Sequence, residues 1–267
     1  SPASALGAGV VGPGPAFELA GQAGGIGICV DHAVASSELV CLPYVLPHLW
    51  MLHGVMTSTG AALRWFRDQF GQSEKHAAED LGLDPFELLT LEAGKTEPGA
   101  GGLVFLPYMT GERTPIWNSN ARGVVFGLSL ATTRAQFIRM IMEGSAYALR
   151  HNVEAAQKAG AQIDEMISVG GGTRSPVWNQ IKADVTGVPL VVPGTSEGAA
   201  LGMAMLAGIA TGVFGDEQDA ARQVVSATRR YEPSAEYKKR YDALFGIYLR
   251  LYEHLREEFD ALVSIGL

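Results

Sequence analysis

The sequence predicts an α/β domain, and three observations carry that prediction. Apolar residues 166–169 run into Gly170-Gly171-Gly172 and then a helix over 175–186, and a second short strand, 190–192, leads through a polar loop into a helix over 197–210. Alternation of this kind implies parallel strand pairing with helices packed on the sheet. A glycine-rich turn, Gly21–Gly25, separates two apolar runs at 16–20 and 26–30, which reads as a hairpin. At 267 residues the chain can bury a sizeable core, and no internal repeat divides it.

The elements follow in order. Residues 3–11 are small and apolar and read as the tail of a helix, broken by Gly12-Pro13-Gly14-Pro15. After the hairpin, residues 31–53 read as irregular, with prolines at 43 and 47, and lead into a helix over 59–70. Two short polar helices are expected at 74–81 and 85–93, then a brief strand at 103–106, a polar loop over 108–122 and strand character at 123–128. Thr132 or Thr133 caps a long helix that stops at Gly160, with Phe137, Ile138, Ile141, Met142, Leu149 and Val153 as its apolar stripe. The last helix, 235–262, places Tyr237, Tyr241, Leu244, Phe245, Tyr248, Tyr252, Leu255 and Phe259 on one face, a pattern of core packing rather than of a binding surface.

Composition bounds the function. The hydrophobic fraction of 47% with 18% charged residues excludes a disordered or fibrous chain. A net charge of −8 argues against a nucleic-acid partner, and no apolar run is long enough to span a membrane. Cys29 and Cys41 lie in apolar stretches and read as buried free thiols of a reducing, cytoplasmic compartment. Ser1 reads as a start in the middle of a longer protein.

Two glycine clusters could carry chemistry. Gly21–Gly25 sits at a hairpin tip and Gly170–Gly172 precedes a helix, so each would let a phosphate or a ring approach the backbone. Taken alone, a tight turn is the plainer explanation of each. Neither cluster is a P-loop, and Gly25-Ile26-Gly27 completes only part of a dinucleotide fingerprint. Glu112 and Arg113 could act on a substrate or simply pair to hold their loop. Glu143 and Arg139 read as a surface pair one helical turn apart. The six histidines show no metal-ligand spacing, so no metal site is expected.

Three longer motifs then become recognisable. Gly102-Leu-Val-Phe-Leu-Pro-Tyr-Met-Thr-Gly-Glu-Arg-Thr-Pro115 with Asn120-Ala-Arg-Gly-Val-Val-Phe-Gly-Leu128 resembles the C-terminal signature of FGGY-type carbohydrate kinases. Val169-Gly-Gly-Gly-Thr-Arg-Ser-Pro-Val-Trp-Asn-Gln180, continuing to Asp184, resembles that family's adenosine motif, and Glu197-Gly-Ala-Ala-Leu-Gly-Met-Ala204 its closing helix. The resemblance covers essentially the whole chain and is strongest to xylulokinase-like members.

The resemblance implies an actin-like, ribonuclease H-like ATPase domain, a mixed sheet flanked by helices. Residues 1–267 would be the C-terminal, ATP-binding domain, with the N-terminal sugar-binding domain absent from this chain. The implied activity is phosphorylation of a sugar hydroxyl, such as that of the ketopentose xylulose, by ATP with Mg²⁺. A homodimer is compatible with it, and the alternative is a non-catalytic, kinase-derived domain that binds nucleotide or a partner. Family roles carry over to Gly21, Gln22, Ala23 and Gly24 at the phosphate turn, Gln22 standing where the motif usually reads Thr. They carry over equally to Gly60 and Arg64 beside adenine and ribose, to Gly170, Gly171 and Gly172 against adenine, and to Ser175. The catalytic base, an Asp, is expected just upstream of Ser1, before the small-residue helix that begins there, so no catalytic residue is assigned; Asp31 and Asp184 do not match its position.

Overall fold

The protein is described by a computed structural model over residues 2–194 and 197–266. The helix expected from Ser1 and the loop expected before Glu197 therefore fall partly outside the described residues, at Ser1 and at Thr195 and Ser196.

The expected hairpin forms from β1 (Gly14–Ala20) and β2 (Gly24–Val30), joined by Gly21-Gln22-Ala23. They lie inside a seven-stranded mixed sheet. The stretch read as irregular instead supplies two of its strands, β3 (Val40–Pro43) and β4 (Trp50–Met56). Pro43 is tolerated because β3 is an edge strand, where a missing N–H leaves no ladder bond unmade. On the other side β7 (Ile163–Val169) pairs parallel with β1, and β8 (Leu190–Pro193) parallel with β7. β9 (Ala227–Tyr231) closes the sheet antiparallel, giving the order β3-β4-β2-β1-β7-β8-β9. A separate ribbon joins β5 (Val104–Leu106) to β6 (Val124–Phe126).

Alternation along the central strands divides the core by face. Ala16, Ile26, Ile28, Leu52 and Met166 pack against α5 (Arg134–Lys158), whereas Phe17, Cys29, Met51 and Ile167 face α1 (Pro2–Gly7) and α7 (Gly198–Ala210). On that second face α1 and α7 approach so closely that a Cβ on Gly7 or Gly202 would overlap the opposite backbone. α8 (Glu217–Val224) completes the layer, and neither it nor β9 was expected from the sequence.

A further cluster buries the first half of α5 against α9 (Ala235–Ser264), α2 (Thr59–Phe70), α4 (Pro85–Gly94) and α6 (Pro176–Thr186). Between α2 and α4 lies α3 (Gln72–Leu81). Tyr241, Phe245, Tyr248 and Tyr252 of α9 are core residues, as expected. Because α5 is covered on nearly every side, Arg139 and Glu143 do not form a surface pair: both are buried. Glu143 accepts from Arg139 Nε at 2.7 Å, Tyr241 Oη at 2.9 Å and Gly99 N at 2.9 Å. Cys29 is a buried free thiol, pushed up to about 11 by its burial, while Cys41 is only half-buried.

Candidate nucleotide site

The hairpin turn, the start of α2, α4 and the β7–α6 loop converge on one cleft of about 680 Å³. Gly21, Gln22, Gly60, Arg64, Gly171, Gly172 and Ser175 all line it, so the structure gathers seven positions that lie up to 154 residues apart in sequence. Three expected positions do not line it. Ala23 faces a second cleft, Gly24 packs against Thr59 and Met56, and Gly170 (φ +108°) packs on the Ala20 carbonyl.

The local reasons differ from residue to residue. A Cβ on Gly60 would overlap the Gly21 carbonyl, so α2 can seat its N-terminus under the turn only with glycine there. Ala61 N donates to Gln22 O at 2.9 Å, which fastens that seat. The helix therefore directs its positive end toward the turn, an arrangement favourable to an anion. Gly171 is different: a side chain added there meets open space, so its glycine keeps the cleft wall bare. Ser175 caps α6, its Oγ accepting from Trp178 N at 3.1 Å, with Pro176 at the first helical position.

Gln22 is oriented by Arg64. With its amide oxygen turned inward, Gln22 Oε1 accepts from Arg64 Nη1 at 2.7 Å and Nε at 3.3 Å. At the far end the walls turn apolar, with Leu63, Phe86, Leu91 and Val177. Arg67 stacks over the Phe86 ring at 4.6 Å, and Arg174 reaches toward Asp84 across the mouth at 3.8 Å. The cleft thus has a polar, backbone-rich end and an apolar end, which suits a flat ring carrying an anionic tail. Sequence reasoning missed the α4 wall. Its signal was present in Asp84-Pro85, an N-cap whose carboxylate accepts from Phe86 N at 3.0 Å, but that pattern announces a helix and not a site.

The second cleft, about 550 Å³, opens on the other side of the turn and is lined by Ala23, Thr57, Thr110, Glu112, Arg113 and Trp117. Glu112 and Arg113 form no ion pair among the described residues. Instead the buried Glu112 carboxylate takes the backbone N–H groups of Thr57 and Arg113, both at 2.8 Å. Burial raises its pKa to about 7 despite those donors. The Arg113 side chain makes no hydrogen bond or ion pair among the described residues and lines this cleft. Asp31 and Asp184 are engaged elsewhere, Asp31 with His32 at the surface and Asp184 with Ser234 N and Gln180 Nε2. Among the described residues no cluster of His, Cys, Asp and Glu could hold a metal ion, and no helix is long and apolar enough to cross a membrane.

Residues 25–211 match the profile described as the FGGY family of carbohydrate kinases, C-terminal domain. The chain is 32% identical over 264 residues to a gluconokinase of Bacillus licheniformis, covering 98% of this chain and 51% of that protein. It is also 32% identical over 211 residues to a xylulose kinase of Bacillus subtilis strain 168, covering 79% and 40% respectively. The crystal structure of a xylulose kinase from Rhodospirillum rubrum superposes with a TM-score of 0.85 at 32% identity, over 97% of this chain and 51% of that one. The chain thus spans about half the length of the curated relatives it matches. Its architecture is the actin-like ATPase fold of those structural neighbours.

Proposed function

Because this chain belongs to the FGGY family of carbohydrate kinases, we propose that it is the C-terminal, nucleotide-binding half of an enzyme that phosphorylates a sugar hydroxyl, with a ketopentose such as xylulose as acceptor. The observation that supports this most is the cleft itself, which gathers the hairpin turn, the Gly60–Arg64 helix start and the Gly171–Ser175 loop around one space.

ATP supplies the phosphoryl group, and Mg²⁺ carried on its phosphates offsets their charge. The residues of this chain position and screen. Backbone N–H groups of the turn at Gly21 and Gln22 and the N-terminal end of α2 hold the phosphates. Leu63, Phe86 and Val177 take the adenine against the bare face of Gly171, and Arg64 lies between the two ends. On the far side of the turn, Thr110 and Arg113 face the direction from which an acceptor hydroxyl would approach. The general base and most acceptor contacts come from an N-terminal domain, the Asp lying just upstream of Ser1.

Calorimetric titration with MgATP tests the nucleotide half. The expected result is binding to the parent chain and none to a Gly171→Trp variant of unchanged thermal stability. Equal binding by both would overturn the placement of adenine. The longer protein should phosphorylate a ketopentose, and its failure on every sugar while it binds MgATP would favour a non-catalytic, kinase-derived domain.

A further inference from the structure

Two charged residues are buried directly behind the cleft. Glu18 of β1 and Lys182 of α6 are 4% and 5% exposed, with Nζ 2.6 Å from Oε1. Ser168 of β7 donates its hydroxyl to the other Glu18 oxygen. The ammonium lies 5.4 Å from the Trp178 ring centre, and its approach to the carboxylate is close but poorly angled for a hydrogen bond, so Lys182 keeps unmet donors. Lys182 borders a small void of about 20 Å³, which is also bounded by Gly21, Thr59, Ser145 and Gly172. That is room for one water between the ammonium and the underside of the phosphate turn.

Stability does not explain this arrangement. Removing two charges from water roughly offsets their attraction, and an apolar pair of the same volume commonly serves a core as well or better. Placement does explain it. Glu18 lies three residues before Gly21, Ser168 lies three before Gly171, and Lys182 lies on the helix that Ser175 caps. The three side chains therefore join the three elements that build the two ends of the cleft.

We propose that Glu18, Lys182 and Ser168 are positioning residues of the nucleotide site: they fix the spacing between the phosphate turn and the adenine wall, with a buried water relaying Lys182 to the turn. This rests on the nucleotide reading above. An apolar pair would fill the same volume but would let β1 and α6 shift against each other. A ligand that spans both ends would register that shift, and one held only at the apolar end would not.

The test is the double variant Glu18→Leu/Lys182→Met in the full chain, titrated with MgATP and with adenosine, alongside urea denaturation. The expected outcome is an unchanged urea midpoint, MgATP affinity lower by about tenfold and adenosine affinity nearly unchanged, since misplacement by a fraction of an ångström is penalised across the whole span. MgATP affinity equal to the parent's, or an equal loss for both ligands, overturns the inference. Should the double variant fail to fold, Ser168→Ala keeps the ion pair and removes one hydrogen bond. It should weaken MgATP about threefold and spare adenosine, and no change in MgATP affinity would again refute the proposal. A parent that binds neither ligand overturns the nucleotide reading itself, a result distinct from a parent that binds and a variant that matches it.

Discussion

Arg139 and Glu143, one turn apart on α5, form an ion pair sealed between α5, α9 and the loop before β5, with Glu143 wholly inaccessible to water. Arg139 also donates to Thr96 O at 2.9 Å and Tyr241 Oη at 3.1 Å, so the pair joins three segments. Burial pushes the Glu143 carboxyl up, and Arg139 with the Gly99 N–H holds it down. Replacing Glu143 by Ala would strand a buried guanidinium. The expected loss is about 3–5 kcal/mol, read from the shift in urea midpoint at unchanged slope. A loss below about 1 kcal/mol, the value of an exposed pair, would contradict the burial described here.

Arg64 of α2 is fastened to the hairpin turn by its contact with the Gln22 amide. Arg64→Ala should weaken MgATP binding by about tenfold, in line with the loss of a charge-assisted contact. Gln22→Thr restores a hydroxyl at the turn and frees Arg64, and it should leave the affinity equal or better. Calorimetry on both variants distinguishes a turn that works through its backbone from one that depends on the Gln22 amide.

The two kinds of glycine at the site should respond oppositely to a single methyl group. Gly60→Ala forces α2 away from the turn and should cost about 1–3 kcal/mol of stability along with nucleotide affinity. Gly171→Ala places its methyl group in open space and should leave thermal stability unchanged, while intruding only on the bound ring. Melting curves with and without MgATP separate the two effects.

Two buried titratable groups oppose each other as pH changes. Glu112, raised from 4.5 to about 7, binds more protons folded than unfolded, so its contribution to stability falls as pH rises through that window. His151, lowered from 6.5 to about 4 by burial, stays neutral when folded, so its contribution rises as pH rises from about 4 to 6.5. The parent should show a shallow profile between pH 4.5 and 6.5, where the two windows overlap. Glu112→Gln should expose a rising stability and His151→Gln a falling one, measured by urea midpoints across that range. Parallel profiles for the two variants would disprove the assignment.

Arg113 lines the second cleft, beside Ala23 of the turn, with its side chain in no hydrogen bond or ion pair among the described residues. Arg113→Gln should raise the KM for the sugar in the longer protein and leave MgATP affinity within about twofold. An effect confined to MgATP would place Arg113 on the nucleotide instead.

The legibility of the sequence depended on whether a feature was local. The β1–β2 hairpin and the long α5 helix announce themselves through a glycine turn and a capping box at Thr133, both written within a few residues. β4 did not, because Gly54 and His53 break the apolar run, and its pairing with β2 comes from the sheet and not from propensity. β9 is exposed and charged, with Arg229 and Arg230 at the sheet edge, so no alternation marks it. The spacing of Arg139 and Glu143 is the same whether an α5 face meets water or α9, and only the tertiary packing decides. For the same reason Glu18 and Lys182, 164 positions apart, carried no signal at all. At the cleft, the turn and the loop lie in segments that the sequence marks with glycines, whereas the α4 wall is made of ordinary apolar side chains that only the fold brings there.

The close seating of α1 on α7 has a consequence for the order in which the chain opens. The described turn of α1 has few hydrogen bonds of its own, so its order depends on the seat that α7 gives it. The glycines that make this contact, Gly7 and Gly202, are separated by roughly 195 residues, so the contact carries a loop-closure cost that local contacts do not. The amides of α1 should therefore exchange with solvent hydrogen well before those of the sheet, through an opening that detaches one short helix and leaves the cleft intact.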